Sequence, residues 1–409
     1  MRALLEESFR AAVAAADPLR ILGAHLPSPP AGRTFVAAAG KAAAAMALAV
    51  EKDFEGELQG IAITRYGHGL PTNRIRVVEA GHPVPDEKGE AAAHEILDQV
   101  RNLGEQDLLL ALLSGGGSSL LSLPAPDVPM ADLKSVTREL LRSGAAIQEM
   151  NTVRKHLSAI HGGRLAAASK APVLALIISD VTGDDPTHIA SGPCAPDPTT
   201  YADALTILRQ YRIAAPRSVQ QRLERGKDET PKPGDPVFKR VQNKVIATAH
   251  RSLEAAAEVF RSNGITPVIL GDTVTGEASE VAKAYAALVH EIRKYGTPWR
   301  PPLALISGGE CTVTIRGEGG RGGRCTEFLL SLGIETGGVW AIAADTDGID
   351  GTELNAGAIF TPNSMKRGRD ARLLLAKHDS YGFFSALGDL VTTGPTRTNV
   401  NDYRAILVV

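Results

Sequence analysis

Apolar residues in this chain fall into two kinds of run. Short unbroken blocks at 34–39, 107–113, 173–178, 303–306 and 339–344 predict strands buried on both faces. Shorter apolar runs at 61–64, 75–79, 245–248, 266–270 and 405–409 predict further strands. Between them lie stretches with apolar residues at helical spacing. One is 3–25, with Leu4, Leu5, Phe9, Ala12 and Val13; others are the Ala-rich stretch through Met46 to Val50, then 90–103, 133–149, 203–211, 253–262 and 277–294. Strand alternating with helix predicts βαβ units and parallel sheets, an α/β fold. The pattern fades after Leu223, where charges crowd with Pro231, Pro233, Gly234 and Pro236. This break divides the chain into expected domains 1–230 and 231–409, each long enough for its own core.

Composition narrows the function. The net charge of −2 leaves no global electrostatic footprint for nucleic acid, and aromatics at 4% supply no stacking platform for bases. No apolar run is long enough to span a bilayer, so no membrane partner is expected. The three cysteines, Cys194, Cys311 and Cys325, form no C-x-x-C pair. Neither a disulfide framework nor a structural zinc site is indicated, and free thiols suit a reducing cytoplasm.

The polar loops at strand ends carry the candidate chemistry. Gly40-Lys41 closes the first strand block in a strand–loop–helix unit. It is not a Walker A loop, because Ala42 stands where Ser or Thr is required. Lys41 taken alone reads as a solvated helix-start residue, but ligands gather at strand C-terminal ends in α/β sheets. Ser114-Gly115-Gly116-Gly117-Ser118 between a strand and a helix start reads as an anion cradle. Arg154 and Lys155, with Gly162-Gly163-Arg164 beyond them, are either a solvated face or a second anion-facing spot. Asp180, Asp184 and Asp185 crowd one strand end, as a hard cation or a capping turn would require. His82, beside Pro83, reads as a turn residue.

The second half repeats the theme. Gly308-Gly309-Glu310 follows a strand, and a glycine loop then holds Arg321 and Arg324, suited to phosphate or carboxylate. Asp345, Asp347 and Asp350 cluster at another strand end. An EF-hand reading fails because position 356 is Ala356; Mg²⁺ or a substrate hydroxyl fits better. Gly317-x-Gly319-x-x-Gly322 matches a dinucleotide fingerprint, but arginines occupy the loop where bare backbone is needed. A glycine cradle, cationic side chains and acid clusters together fit phosphoryl transfer better.

Those motifs, taken in order along nearly the whole chain, resemble the glycerate 2-kinase family, two-domain kinases with a MOFRL-type C-terminal domain, sometimes labelled hydroxypyruvate reductase. The matching stretches also include Asn151-Thr-Val-Arg-Lys-His156, Ala190-Ser-Gly-Pro193, Thr393-Gly-Pro-Thr396 and Asn399-Val-Asn-Asp402. The resemblance implies a Rossmann-like N-terminal domain, a smaller α/β C-terminal domain and an active site in the cleft between them. It implies ATP, Mg²⁺ and transfer to the 2-hydroxyl of D-glycerate. Lys41 and Arg324 map onto the family's expected active-site positions, Lys41 toward phosphate and Arg324 toward the phosphoryl group or the acceptor carboxylate. Asp180 and Asp184 would hold the metal, and Asp345 or Asp347 would orient or deprotonate the acceptor. The expected binding set is Ser114 to Ser118, Arg154, Lys155, Gly308, Gly309, Glu310 and Arg321. The partners implied are small molecules, and the protein would be a cytoplasmic monomer or homodimer. Alternatives are an NAD(P)H-dependent hydroxypyruvate reductase, a kinase of a related hydroxy acid, and a non-catalytic acid-binding regulator. One departure stands beside Arg324: Cys325-Thr326-Glu327 replaces the family's usual Asn-Gln-Glu, which puts acceptor specificity in question there.

Overall fold

The structure is a computed structural model that describes residues 1–315 and 319–409, so Gly317 of the fingerprint lies outside the described residues. The chain forms two compact units. One is Pro18–Ile246; the other joins Met1–Asp17 to Ala247–Val409.

The first unit is built on β1 (Thr34–Ala39), β2 (Leu58–Arg65), β3 (Ile75–Ala80), β4 (Leu108–Leu113), β5 (Val173–Ile178) and β6 (Val241–Ala247). Their order is β3-β2-β1-β4-β5-β6, the doubly wound Rossmann arrangement. The pairs from β3 through β5 are parallel. Every residue of β1, β4 and β5 is buried, as their unbroken apolar blocks require. The helix Ala43–Asp53 packs against the sheet with its alanines buried. The stretch 133–149 is two helices, not one: Gly144 at φ +75° ends Met130–Ser143, and Ile147–His156 begins anew. Gly takes this left-handed turn without steric cost. The basic motif therefore lies on the second helix.

The second unit centres on a mixed sheet. Its strands are β7 (Thr266–Gly271), β9 (Leu303–Ser307), β11 (Trp340–Asp345), β12 (Gly357–Phe360), β13 (Leu390–Val391) and β14 (Asp402–Val408), with a short pair β8 (Gly276–Glu277) and β10 (Cys311–Thr312) beside it. The expectation of wholly parallel strands fails here. Among the described residues only β7 and β9 pair in parallel within the larger sheet; β14 runs antiparallel to both β9 and β11. The apolar blocks reveal where strands lie but not their direction, because a block buried on both faces looks the same either way.

The domain boundaries also shift. Residues 241–247 complete the first sheet, so the division falls at 246–247 and not at 230. The N-terminal helix Arg2–Ala14 belongs with the second unit. Its apolar stripe, Leu5, Phe9 and Ala12, is covered by Leu253, Ala256, Ala257 and Phe260 of the helix Ala249–Ser262 and by Tyr403. Tyr403 donates to Ser8 Oγ at 2.7 Å, and its ring lies 5.9 Å from that of Phe9. Pro18 starts a separate short helix, which ends the predicted continuous helix early. Truncating Phe9, which is 1% exposed, should therefore destabilise the second unit. For Phe9→Ala we expect a loss of about 3–5 kcal/mol in denaturant unfolding; an unchanged midpoint and slope would contradict this assignment.

Candidate active site

The strand order reverses between β1 and β4, and the loops leaving these two strands meet. The Lys41 N–H donates to the Gly115 carbonyl at 2.8 Å, and the Ala42 N–H to Ser114 Oγ at 3.0 Å. In the other direction the Ser114 N–H donates to the Ala39 carbonyl at 3.0 Å. Two glycines make this approach possible. A Cβ on Gly40 (φ +130°) would sit 2.5 Å from the Ser114 carbonyl oxygen, and one on Gly117 would sit 2.5 Å from the Ala190 Cβ. The N–H groups of Gly115 and Gly116 donate to no protein acceptor among the described residues. Such paired free amides suit an anion. The helix that follows, Gly117–Leu120, is a single turn, so the cradle depends on loop amides and not on the dipole of a long helix. His82 packs here too, its ring 2.9 Å from where a Gly116 Cβ would be. The Lys41 turn and the glycine loop, separate candidates in the sequence, are thus brought together.

A polar relay extends the site. Ser191 Oγ lies 2.8 Å from Ser118 Oγ and 3.2 Å from Asn151 Oδ1, and Arg154 Nη1 donates to the same Asn151 oxygen at 3.4 Å. Arg154 is half-buried and has no carboxylate in ion-pairing range among the described residues; burial alone pushes its pKa down. Lys155 does not join it. One residue on, it turns the other way and pairs with Asp197 at 3.3 Å, both side chains being fully enclosed. Burial lowers the Lys155 pKa and Asp197 partly offsets this. The basic stretch thus splits into one arginine at the site and a lysine fixed inside the fold. The acids at 180–185 behave differently from a cage. Asp180, two residues past β5, is half-buried, Asp185 caps Thr187 N at 2.9 Å, and Asp184 sits in a turn at φ +55°. No three acids, cysteines or histidines converge as a metal cluster among the described residues.

In the second unit Arg324 opens the helix Arg324–Thr336 and is gripped by acids. Its Nε donates to Asp402 at 2.8 Å and its Nη2 to Asp345 at 2.5 Å, with Glu310 at 3.3 Å. Burial would lower the Arg324 pKa, but Asp402, Asp345 and Glu310 raise it well above the ordinary value. Its Nη1 makes no hydrogen bond among the described residues. A cavity of about 250 Å³ opens beside it, lined by Cys311, Gly322, Glu327 and His378. Arg321 lies elsewhere: it is exposed, forms a two-point pair with Glu353 and stacks 4.2 Å over Tyr381. It is a surface ion pair, not a companion of Arg324. The other residues named from sequence mostly shape backbone. The Gly308 carbonyl accepts from Arg404 Nη1 at 2.8 Å, and a Cβ on Gly309 (φ +91°) would press 2.3 Å from the Val274 amide. Asp347 accepts from the Ile349 N–H at 2.9 Å, and Asp350 caps the N–H groups of Cys325 and Thr326, each at 2.9 Å.

Sequence reading missed Arg404 and the working part of Asp402. Both sit in an otherwise apolar closing strand, and an arginine inside such a strand is itself the available signal, since buried charge requires a partner. His161, fully buried near Arg154, was also missed.

Against this geometry, comparison with known proteins is decisive. A family profile described as a domain of unknown function, DUF4147, matches residues 4–224, and one described as the MOFRL family matches 303–402. A Pyrococcus horikoshii protein named glycerate 2-kinase is 43% identical over 90% of this chain and 86% of its own length. The chain belongs to the glycerate 2-kinase family. An Agrobacterium vitis protein provisionally named hydroxypyruvate reductase is 51% identical, over 100% of this chain and 94% of its own. A crystal structure of a glycerate kinase from Thermotoga maritima matches with a TM-score of 0.87 at 37% identity, covering 100% of this chain and 99% of that one. The two-unit α/β architecture is thus that of glycerate kinases. No helix among the described residues is long and apolar enough to cross a membrane.

Lys155 and Arg154 can be told apart by experiment. Lys155→Met leaves Asp197 buried without its cation, which should cost about 3–5 kcal/mol of stability. The substrate KM values of the folded protein should not change, as measured by steady-state kinetics below the variant's Tm. A raised KM with unaltered stability would place Lys155 in the site instead.

Proposed function

We propose that this protein transfers the γ-phosphoryl group of ATP to the 2-hydroxyl of D-glycerate, releasing ADP and 2-phospho-D-glycerate. The observation that carries the proposal is the clasp of the Lys41 turn and the Ser114–Ser118 loop at the strand-order reversal, where the Gly115 and Gly116 amides donate to no protein acceptor among the described residues. Membership of the family supplies the reaction class.

Phosphoryl transfer is mostly placement and charge stabilisation. The Gly115 and Gly116 amides and Lys41 would hold the nucleotide phosphates. The acceptor oxygen bonds to the γ-phosphorus as the bond to the β,γ-bridging oxygen breaks. The hydroxyl proton passes to a carboxylate, for which Asp347 is the candidate, and then to water. Asp345 is the other carboxylate at this strand end, and its Oδ2 accepts from Arg324. Arg324 would meet the charge of the transferring group through Nη1, since Asp402 and Asp345 fix its other nitrogens. Mg²⁺ needs only one or two carboxylates beside phosphate oxygens. Asp180, with Asp184 near it in sequence, would hold the ion, which when bound spreads the charge of the phosphates.

The hydroxypyruvate reductase reading has one support, the provisional name of a relative. Incubation with ATP, Mg²⁺ and D-glycerate separates the two: we expect ADP release and a phosphorus NMR signal on carbon 2. Nicotinamide oxidation with hydroxypyruvate and no ADP would overturn the proposal. Arg324→Ala should lower kcat/KM on the order of 10²-fold or more, as loss of a fixed charge contact in a transition state does.

A further inference from the structure

A small pocket opens beside the glycine loop, wholly inside the first unit. Its polar lining is Ser118, Ser122, Thr137, Arg154 and His161, and Pro83, Pro85 and Leu133 wall it. Its enclosed volume is small, about 20 Å³, and its mouth is open to solvent. Two features are hard to explain if it stays empty. Arg154 carries its charge here with no carboxylate in range among the described residues. His161 is 2% exposed, and its Nε2 has no hydrogen-bond partner among the described residues. A buried polar atom without a partner costs free energy, and such atoms are rare in native folds unless a water or a ligand completes them.

We infer that this pocket binds the carboxylate of the acceptor acid, with Arg154 as its cation and Ser118 and His161 as neutral donors. The inference rests on the hydroxy-acid acceptor proposed above. Burial and the nearby charges of Arg154 and Lys155 push the His161 pKa down to about 3, so the ring is neutral near pH 7 and adds a donor without a second charge. One guanidinium and short neutral donors match the single charge of a carboxylate. The nucleotide phosphates already have the Gly115 and Gly116 amides and Lys41. The proline-walled turn at 83–85 closes the pocket to bulky groups, which selects a short acid. The pocket shares Ser118 with the glycine loop, so a carboxylate seated in it would place the adjacent hydroxyl next to the cradle.

The test is steady-state kinetics on the full chain with Arg154→Gln and Arg154→Lys. Arg154→Gln should raise the KM for D-glycerate on the order of 10- to 100-fold and leave the KM for ATP within about twofold, with Arg154→Lys recovering part of the loss. A parallel rise in the KM for ATP would move Arg154 to the phosphates and overturn the inference, as would an unchanged KM for D-glycerate. Should Arg154→Gln fail to fold, Ser122→Val, which fills the pocket, should raise the KM for D-glycerate alone; no change would refute the pocket. Calorimetry separates this inference from the proposed reaction. D-glycerate, glycolate and lactate are titrated into the wild type without ATP, with glycerol as the uncharged control. Binding of a carboxylate that is lost in Arg154→Gln supports the pocket even if no ADP is ever formed. Binding of none of them refutes the pocket even where the kinase activity stands.

Discussion

Two carboxylates face each other across adjacent strands, and the second unit is arranged around neutralising them. Asp345 at the end of β11 is in register with Asp402 at the start of β14. Like charges directly opposite on neighbouring strands repel, and both side chains are shielded from water. Arg324 resolves the conflict by donating to both, and Arg404 adds a second cation to Asp402 at 2.6 Å. The arrangement also fixes Arg324 where a cation is otherwise disfavoured, at the N-terminal end of a helix. Removing Arg324 would take away the cation that bridges the two carboxylates. The chain Arg404–Asp402–Arg324–Asp345 therefore holds the guanidinium in one orientation, which a group that must meet a short-lived charge requires.

The first unit solves a different problem by a different means. Its site holds few fixed charges and much backbone. Three hydrogen bonds between the ends of β1 and β4 fix the glycine loop against the Lys41 turn, and small residues let the two loops touch. Amides cannot be titrated and need no counter-ion, so they can wait for phosphate without the cost of an empty charged pocket. A larger hollow of about 640 Å³ lies near the N-terminal ends of β1 to β3, lined by Gln59, Arg74, Arg76 and Glu95. Ligands of open α/β sheets gather at the other end of the strands.

Much of this was legible in the sequence, for reasons that differ by element. The apolar blocks of β1, β4 and β5 were plain because strands buried on both faces need no alternation. The Ser114–Ser118 loop was plain because three successive glycines exceed what a turn needs. Strand direction in the second sheet was not legible, since it depends on which neighbours each strand finds. The place of the first helix was hidden for the same reason: its stripe announced a partner without naming it. Neighbouring charges were the least readable feature. Arg154 and Lys155 are adjacent, yet helical geometry turns them about 100° apart, one to the site and one to Asp197. Arg321 and Arg324 diverge likewise, one into a surface pair and one into a buried chain.

The departure at 325–326 takes on a different meaning once the fold is known. Cys325 is fully buried in the apolar core of the second unit. Thr326 is buried too; its N–H and Oγ1 both donate to Asp350, and Ser380 donates to it at 2.9 Å. Neither side chain is free to touch an acceptor. Asp350 here caps the very turn that carries Arg324, so these residues set the angle at which the guanidinium leaves the helix. Variation at 325–326 therefore reads as a change in how the arginine is supported. Choice of acid then falls to residues that face a pocket, and in the first unit those are Arg154, His161 and the serines around them.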